Sequence, residues 1–135
     1  MAVRDPVYLD TSALVKLLIH EPESDALIRF IDESQSQMVT SLIARVELTR
    51  AVSRVDDTLD SDISNLLSKQ VLLPLTHSIM LRAAYLQPFG IRSLDAIHLA
   101  TAIEIHPYLA SLLSYDNRMV DGARSFGLVA EAPGL

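Results

Sequence analysis

The stretch YLDTSALVKLL, Tyr8 to Leu18, decides how the rest of the chain is read. A short apolar run ends on a carboxylate, Asp10. Two hydroxyls, Thr11 and Ser12, then separate it from a second apolar run. A strand that stops at an acid and passes straight into a helix is the first half of a βα unit. In a sheet of parallel strands such an acid stands at the carboxyl edge, where ligands bind in open α/β folds. Two readings of Asp10 are open at this point. It is an N-cap, worth on the order of 1 kcal/mol, or it is an oxygen ligand for an ion.

Outward from that stretch, short apolar runs alternate with longer helical patterns, which predicts a single α/β domain with a mostly parallel sheet. Pro6 to Leu9 reads as the first strand and Ser12 to Ile19 as a helix. Glu21-Pro22-Glu23 opens a second helix to about Glu33, with Pro22 suited to its first position. Gln37 to Thr40 reads as a strand, and Ser41 as the cap of a long helix to about Val55, with Ala44, Leu48, Ala51, Val52 and Val55 on its apolar face. After the break at Asp56-Asp57-Thr58, a weaker helix spans about Ser61 to Leu67. Val71 to Leu75 reads as a buried strand that Pro74 places at an edge or ends. A helix over His77 to Leu86 stops before Pro88 and Gly90. Ser93 then caps LDAIHLATAIEI, which must end near His106 because Pro107 follows. Ala110 to Tyr115, Asn117 to Ser125 and Gly127 to Ala130 read as strand, helix and strand, and Glu131 to Leu135 as a loose tail.

The bulk numbers bound the function. At 135 residues the chain makes one domain, 1–135, able to bury roughly 65 to 70% of its unfolded surface. Half the residues are hydrophobic, which is rich for so small a chain and points to an extra covered face, as in a homodimer. Seventeen acids against 11 Lys and Arg give a net charge of -6, which argues against a sequence-blind polyanion binder and leaves room only for a local nucleic-acid site. The absence of cysteine excludes a disulfide framework and a thiolate zinc site. The first residues carry no apolar signal segment, and Lys16 and His20 interrupt the early greasy run. Neither export nor a membrane span is expected, and the cytoplasm is the expected location.

Four acids stand at element junctions. Asp10 and Asp116 each follow an apolar strand candidate and precede a helix. Asp95 sits in the first turn of its helix, and Glu47 lies about 80° from the centre of its helix's apolar face at about 100° per residue, at the border of the buried side. Each has a bland alternative: Asp10 and Asp116 as N-caps, Asp95 as a helix-dipole complement, Glu47 paired with Arg50 or Arg54. If the four converge, their mutual repulsion requires a counter-charge, which a divalent cation supplies. Oxygen ligands without Cys or a paired His motif select Mg²⁺, with Mn²⁺ as the substitute, over zinc. A hydrated Mg²⁺ activates water and stabilises charge on a phosphodiester, so the expected chemistry is phosphodiester hydrolysis.

YLDTSALVKLL, SLIARVELTRA, IRSLDAIHLATA and LLSYDNRMVDGARSFGL, in that order and spacing, together resemble the PIN-domain family, specifically the VapC-type toxins of type II toxin-antitoxin pairs. The family's first Asp ends strand one, a Glu lies on a middle helix before Leu, a third acid opens DAxHLA and a fourth follows a strand as YD. These fall on Asp10, Glu47, Asp95 and Asp116. The resemblance implies a three-layer PIN-like α/β/α sandwich and a Mg²⁺-dependent endoribonuclease acting on cellular RNA. It also implies neutralisation by a VapB-type antitoxin, and a homodimer. Asp10 and Asp95 are the expected direct ligands of one or two ions, with Glu47 and Asp116 completing the set. Ser12 holds the place of a family hydroxyl that orients a ligand water, or it caps the helix. Met119 stands where relatives often carry Leu or Phe, and the residue after the last Asp varies, so Asn117 carries no assigned role.

Other residues near the acids have readings of their own. His98, one turn after Asp95, is either a ligand or base, or a packed, hydrogen-bonded helical histidine. Arg45, Arg50, Arg54, Arg92 and Arg118 flank the acids as phosphate contacts or as solvated charges. Tyr8, Tyr115 and Phe126 read as core or strand residues, too few to stack bases. Two rival functions stay open. One is a phosphotransfer or phosphatase domain with Asp10 as nucleophile, although Ser12 stands where such enzymes carry a second acid. The other is a non-catalytic module whose acidic cleft accepts a basic protein segment.

Overall fold

A computed structural model describes residues 5–135. The reading of Met1 to Arg4 as free of an export signal lies outside them. Among these residues the chain runs β1 (Val7–Leu9), α1 (Thr11–Lys16), α2 (Ser24–Ser34), β2 (Met38–Ser41), α3 (Ala44–Ser53), α4 (Asp60–Ser68), β3 (Val71–Leu73), α5 (His77–Ala84), α6 (Ser93–Glu104), a 3-10 turn (His106–Tyr108), β4 (Ser111–Leu113), α7 (Asn117–Ser125) and β5 (Ala130–Glu131). The strands form one sheet in the order β3-β2-β1-β4-β5, each neighbouring pair parallel. Among the described residues no helix is long and apolar enough to cross a membrane.

Strand β1 lies at the centre of the sheet, with Tyr8 opposite Val39 on one side and Leu112 on the other. From β1 the chain steps outward through β2 and β3, then returns to β4 on the opposite flank. The strand order therefore reverses between β1 and β4. The crevice outside the carboxyl ends of those two strands is where an open α/β sheet receives ligands.

Alternation along β1 creates the three expected layers. Val7 and Leu9 join Leu113 against Ala13, Leu14, Leu27, Leu48 and Leu67 of α1 to α4. Tyr8 points the other way and joins Val39 and Leu112 against Ala96, Leu99, Met119 and Val120 of α6 and α7. Both β1 and β4 are buried along their whole length, because helices cover both faces of a parallel sheet. Full burial of each large aliphatic side chain there contributes about 1.5 to 3 kcal/mol.

Several boundaries differ from the sequence expectation, each where a local polar contact or the tertiary fold overrides periodicity. Ser41 ends β2 instead of capping α3: its hydroxyl accepts from the Ile43 N–H at 3.2 Å, and the resulting turn delays the helix to Ala44. Ala44, Leu48 and Val52 are buried, but Val55 lies past the helix end and is 70% exposed. Pro22 does not start α2. The buried Ser24 hydroxyl accepts from Glu21 N–H at 2.9 Å and donates to Lys16 C=O at 2.7 Å, which fixes the junction after a shorter α1. Arg92, not Ser93, is the extended residue before α6. Strand β3 is at the edge, as Pro74 indicates, yet it is not buried, since an edge strand covered on one side leaves Val71 open.

The C-terminal end departs furthest. Gly127 adopts φ +82° just beyond the last turn of α7, where its N–H donates to Arg124 C=O, so it ends the helix in the left-handed region and does not begin a strand. Strand β5 starts only at Ala130. The segment after it is held rather than loose. Tyr115 Oη donates to Pro133 C=O at 2.8 Å, and Gly134 packs where an added Cβ would lie 3.0 Å from Ala26 Cβ.

Candidate active site

Asp10 leaves β1 in extended backbone and caps α1, accepting from Ala13 N–H at 3.1 Å on Oδ1. The same oxygen accepts from Ser12 Oγ at 2.6 Å, and Oδ2 accepts from Ser114 Oγ at 2.5 Å. With 4% exposure, the carboxyl is held above the usual carboxylate range by burial, opposed by the Ser114, Ser12 and Ala13 donors and by the nearby His98. Asp10 is therefore both the N-cap and a buried member of the acidic set. Ser12 is not the cap. It lies inside α1, where its hydroxyl also accepts from Tyr115 N–H at 2.9 Å.

Ser114 carries the connection to the second strand exit. Its hydroxyl donates to Asp10 and accepts from Asp116 N–H at 3.1 Å. Asp116 in turn caps α7, its Oδ1 accepting from Arg118 N–H at 2.8 Å and Met119 N–H at 3.4 Å. Its other oxygen, Oδ2, stands 3.3 Å from the Arg92 guanidinium, which also approaches Asp95 Oδ2 at 3.5 Å. Asp95 is held above its ordinary value by partial burial first and by the charge of Asp116 second. Arg92 and His98 pull the other way, and Glu47 adds a smaller push upward. Asp10, Asp116 and Asp95 are thus linked, through Ser114 and Arg92, beyond the carboxyl ends of β1 and β4.

Glu47 arrives from α3, on the α1 to α4 side, and His98 from α6, on the opposite side. Glu47 Oε1 accepts from Thr11 Oγ1 at 3.0 Å and lies 2.7 Å from His98 Nε2. The alternative pairing of Glu47 with Arg50 or Arg54 is not made, because the side chain turns toward Thr11 and His98. Arg45, Arg50, Arg54 and Arg118 are exposed and form no ion pair among the described residues. Asn117 is exposed at the start of α7. Tyr8 is core, and half-buried Tyr115 lies under the Lys16 ammonium. Phe126, expected as a core or strand residue, is neither: it caps the end of α7 and is 40% exposed.

The donor set fits a hard, hydrated cation. Every acidic group at this edge is an oxygen ligand, and Glu47 Oε2 has no hydrogen-bond partner among the described residues. No three acidic or histidine side chains among those residues stand close enough to enclose an ion. Mg²⁺ does not require that, since it keeps several waters and binds through one or two carboxylates. Arg92 now supplies positive charge between Asp95 and Asp116. Its role was hidden in the sequence among five flanking arginines. Thr11 and Ser114 were also missed as site residues, although both sit directly beside strand-end positions, which is the signal that would have found them.

The sequence matches the PIN domain across residues 7–124. The chain belongs to the PIN-domain family. Within that family it is 40% identical over 132 residues to Ribonuclease VapC47 of Mycobacterium tuberculosis, spanning 95% of this chain and 97% of that protein. It is 40% identical over 127 residues to Ribonuclease VapC46 of the same species, spanning 94% and 97%. Among solved PIN-domain structures, M. tuberculosis VapC20, described as a sarcin-ricin loop cleaving toxin, aligns with a TM-score of 0.72 at 15% identity over 94% of this chain and 99% of that one. VapBC2 from Rickettsia felis, solved bound to a promoter DNA fragment, aligns at 0.73 and 18% identity over 94% and 98%. The expected resemblance to VapC-type PIN domains is thereby met.

Proposed function

We propose that this PIN domain is a Mg²⁺-dependent endoribonuclease toxin that cleaves cellular RNA and is neutralised by a VapB-type antitoxin. The observation that supports the reading is the run of contacts beyond the carboxyl ends of β1 and β4, Asp10 to Ser114 to Asp116 and Asp116 to Arg92 to Asp95, with Glu47 held beside it by Thr11 and His98. The ribonuclease names of its close relatives support the substrate class.

Asp10, Asp95, Glu47 and Asp116 would hold the ion. When bound, Mg²⁺ supplies Lewis acidity that makes water nucleophilic at neutral pH and stabilises charge on the phosphodiester. The chain's own residues prepare the site. Ser12, Ser114 and the Ala13 N–H fix both Asp10 oxygens, and Thr11 with His98 fixes one oxygen of Glu47. Arg92, whose side chain is 68% exposed, balances Asp95 and Asp116 and is placed to meet a substrate phosphate.

The burial of Asp10 and the donors on both of its oxygens speak against a free nucleophile, and so against the phosphotransfer reading. An acidic-cleft binding module is favoured by one observation, the guanidinium already seated between two of the acids. The deciding experiment incubates wild type and Asp10→Asn with cellular RNA in Mg²⁺ or EDTA and sequences the new ends. Discrete ends with wild type and Mg²⁺ alone support the nuclease, whereas full cleavage by Asp10→Asn refutes it. Tight binding to a basic partner without cleavage would favour the binding module.

We further propose a homodimer acting in the cytoplasm. Met80, Leu81 and Tyr85 stay exposed on and just after α5, together with Phe89 in the following loop. Light scattering of the purified chain tests the dimer.

A further inference from the structure

A buried chain of three side chains joins the two helical layers behind the acids. Tyr8 Oη lies 2.6 Å from His98 Nδ1, with the two rings edge to face at 5.8 Å between centroids. His98 Nε2 then lies 2.7 Å from Glu47 Oε1. Tyr8 and His98 are 0% and 1% exposed, so water cannot substitute for the contact between them.

The partners dictate where the imidazole proton sits. The carboxylate of Glu47 only accepts, so Nε2, 2.7 Å from its Oε1, carries the ring proton; Nδ1 of the singly protonated ring then accepts from the Tyr8 hydroxyl, which burial above all keeps well above its ordinary pKa. Nε2 thus donates to Glu47 Oε1. Thr11 donates to the same oxygen. Both donors thus converge on Oε1, and Oε2 is left without a partner among the described residues.

We infer that His98 is a positioning residue for Glu47: held in its Nε2–H tautomer by Tyr8, it fixes Oε1 and presents Oε2 to the cation. The inference rests on the metal-binding reading above and adds to it the residue that sets one ligand's orientation. Such outer partners fix a ligand's geometry, and their loss typically weakens metal affinity or activity about 10- to 100-fold. An ionised glutamate on an unrestrained side chain would instead lose rotamer freedom on each binding event.

The test is Mn²⁺ binding, measured by titration calorimetry on the full chain for a pair of variants of similar polarity. In His98→Gln the amide nitrogen falls near the place of Nε2, whereas the shorter His98→Asn reaches only that of Nδ1. His98→Gln is expected to bind Mn²⁺ within a few-fold of wild type, and His98→Asn about 10- to 100-fold more weakly. In a Glu47→Gln background, His98→Asn should add no further loss, since its effect passes through Glu47. The ring ¹⁵N shifts of His98 in labelled metal-free protein should report the Nε2–H tautomer. Unchanged affinity in His98→Asn overturns the inference. So does an undiminished loss in the Glu47→Gln background, or an Nδ1–H ring. If wild type binds no Mn²⁺, the metal reading itself falls and takes this inference with it. Binding by wild type that is indifferent to His98 removes only the inference.

Discussion

Replacing Tyr8 by Phe isolates the polar chain behind the site from its packing. The substitution deletes a single oxygen and keeps the ring that fills the layer beside Val39, Leu112 and Leu99. What changes is His98 Nδ1, which loses the donor 2.6 Å away in a place sealed from water. Leaving one buried acceptor unsatisfied costs about 1 to 3 kcal/mol. With an unfolding entropy near 2.1 cal/mol/K per residue, that loss lowers Tm by about 4 to 11 °C for a chain of this length. Urea denaturation followed by circular dichroism reads it as a fall in midpoint at constant slope. Tyr115→Phe is the matched control. Its hydroxyl donates to Pro133 C=O at 2.8 Å from a half-buried position, where water can take over, so the expected cost is only about 0.5 to 1 kcal/mol. A Tyr8→Phe chain within about 0.5 kcal/mol of the parent, or no weaker than Tyr115→Phe, would show that the buried contact is not a hydrogen bond of the kind described.

Three further outcomes are expected. Burial raises the carboxyls of both Asp10 and Asp95, the latter aided by Asp116, so the folded chain binds protons that the unfolded chain releases. That contribution is complete below the unfolded value of 3.8 and is lost as pH rises through the folded pKa. Metal-free Asp10→Asn should therefore gain stability relative to the parent as pH rises. The difference is read by urea unfolding in EDTA, because Glu23 and Asp56, whose carboxyls are lowered by hydrogen bonds from Lys16 and Thr58, shift both proteins alike; a pH-independent difference would contradict it. Arg92→Gln, by removing the cation shared by Asp95 and Asp116, should tighten Mn²⁺ binding about 2- to 10-fold in calorimetry, the scale of two exposed ion pairs. Gly127→Ala should cost about 1 to 2 kcal/mol in thermal unfolding. An added Cβ meets nothing within 4 Å, so the penalty is the backbone's alone at φ +82°, and an unchanged Tm would refute that conformation.

Read alone, the sequence determined the alternation of strands and helices and the parallel α/β class, and it singled out four candidate acids, because all of these are written in local periodicity and in the residue types that end each apolar run. It read β3 as the buried strand, whereas β1 and β4 are the fully buried ones. Asp10 and Asp116 were legible from those residue types, each capping a helix just past an apolar strand, although β4 ends two residues sooner than the sequence indicates. Boundaries set by a single hydroxyl were not, as Ser41 and Ser24 show, because the same residue types cap helices elsewhere. Nor could periodicity place the tail, whose hold depends on Tyr115 and Ala26. Only the tertiary structure decided that the strand order reverses between β1 and β4, bringing Ser114 to Asp10 across 104 positions and His98 to Glu47 across 51. Hydrogen bonds and charge pairs of that kind depend on distance in space. A linear pattern specifies which faces are buried, but not which polar groups meet where two buried layers close on the end of a sheet.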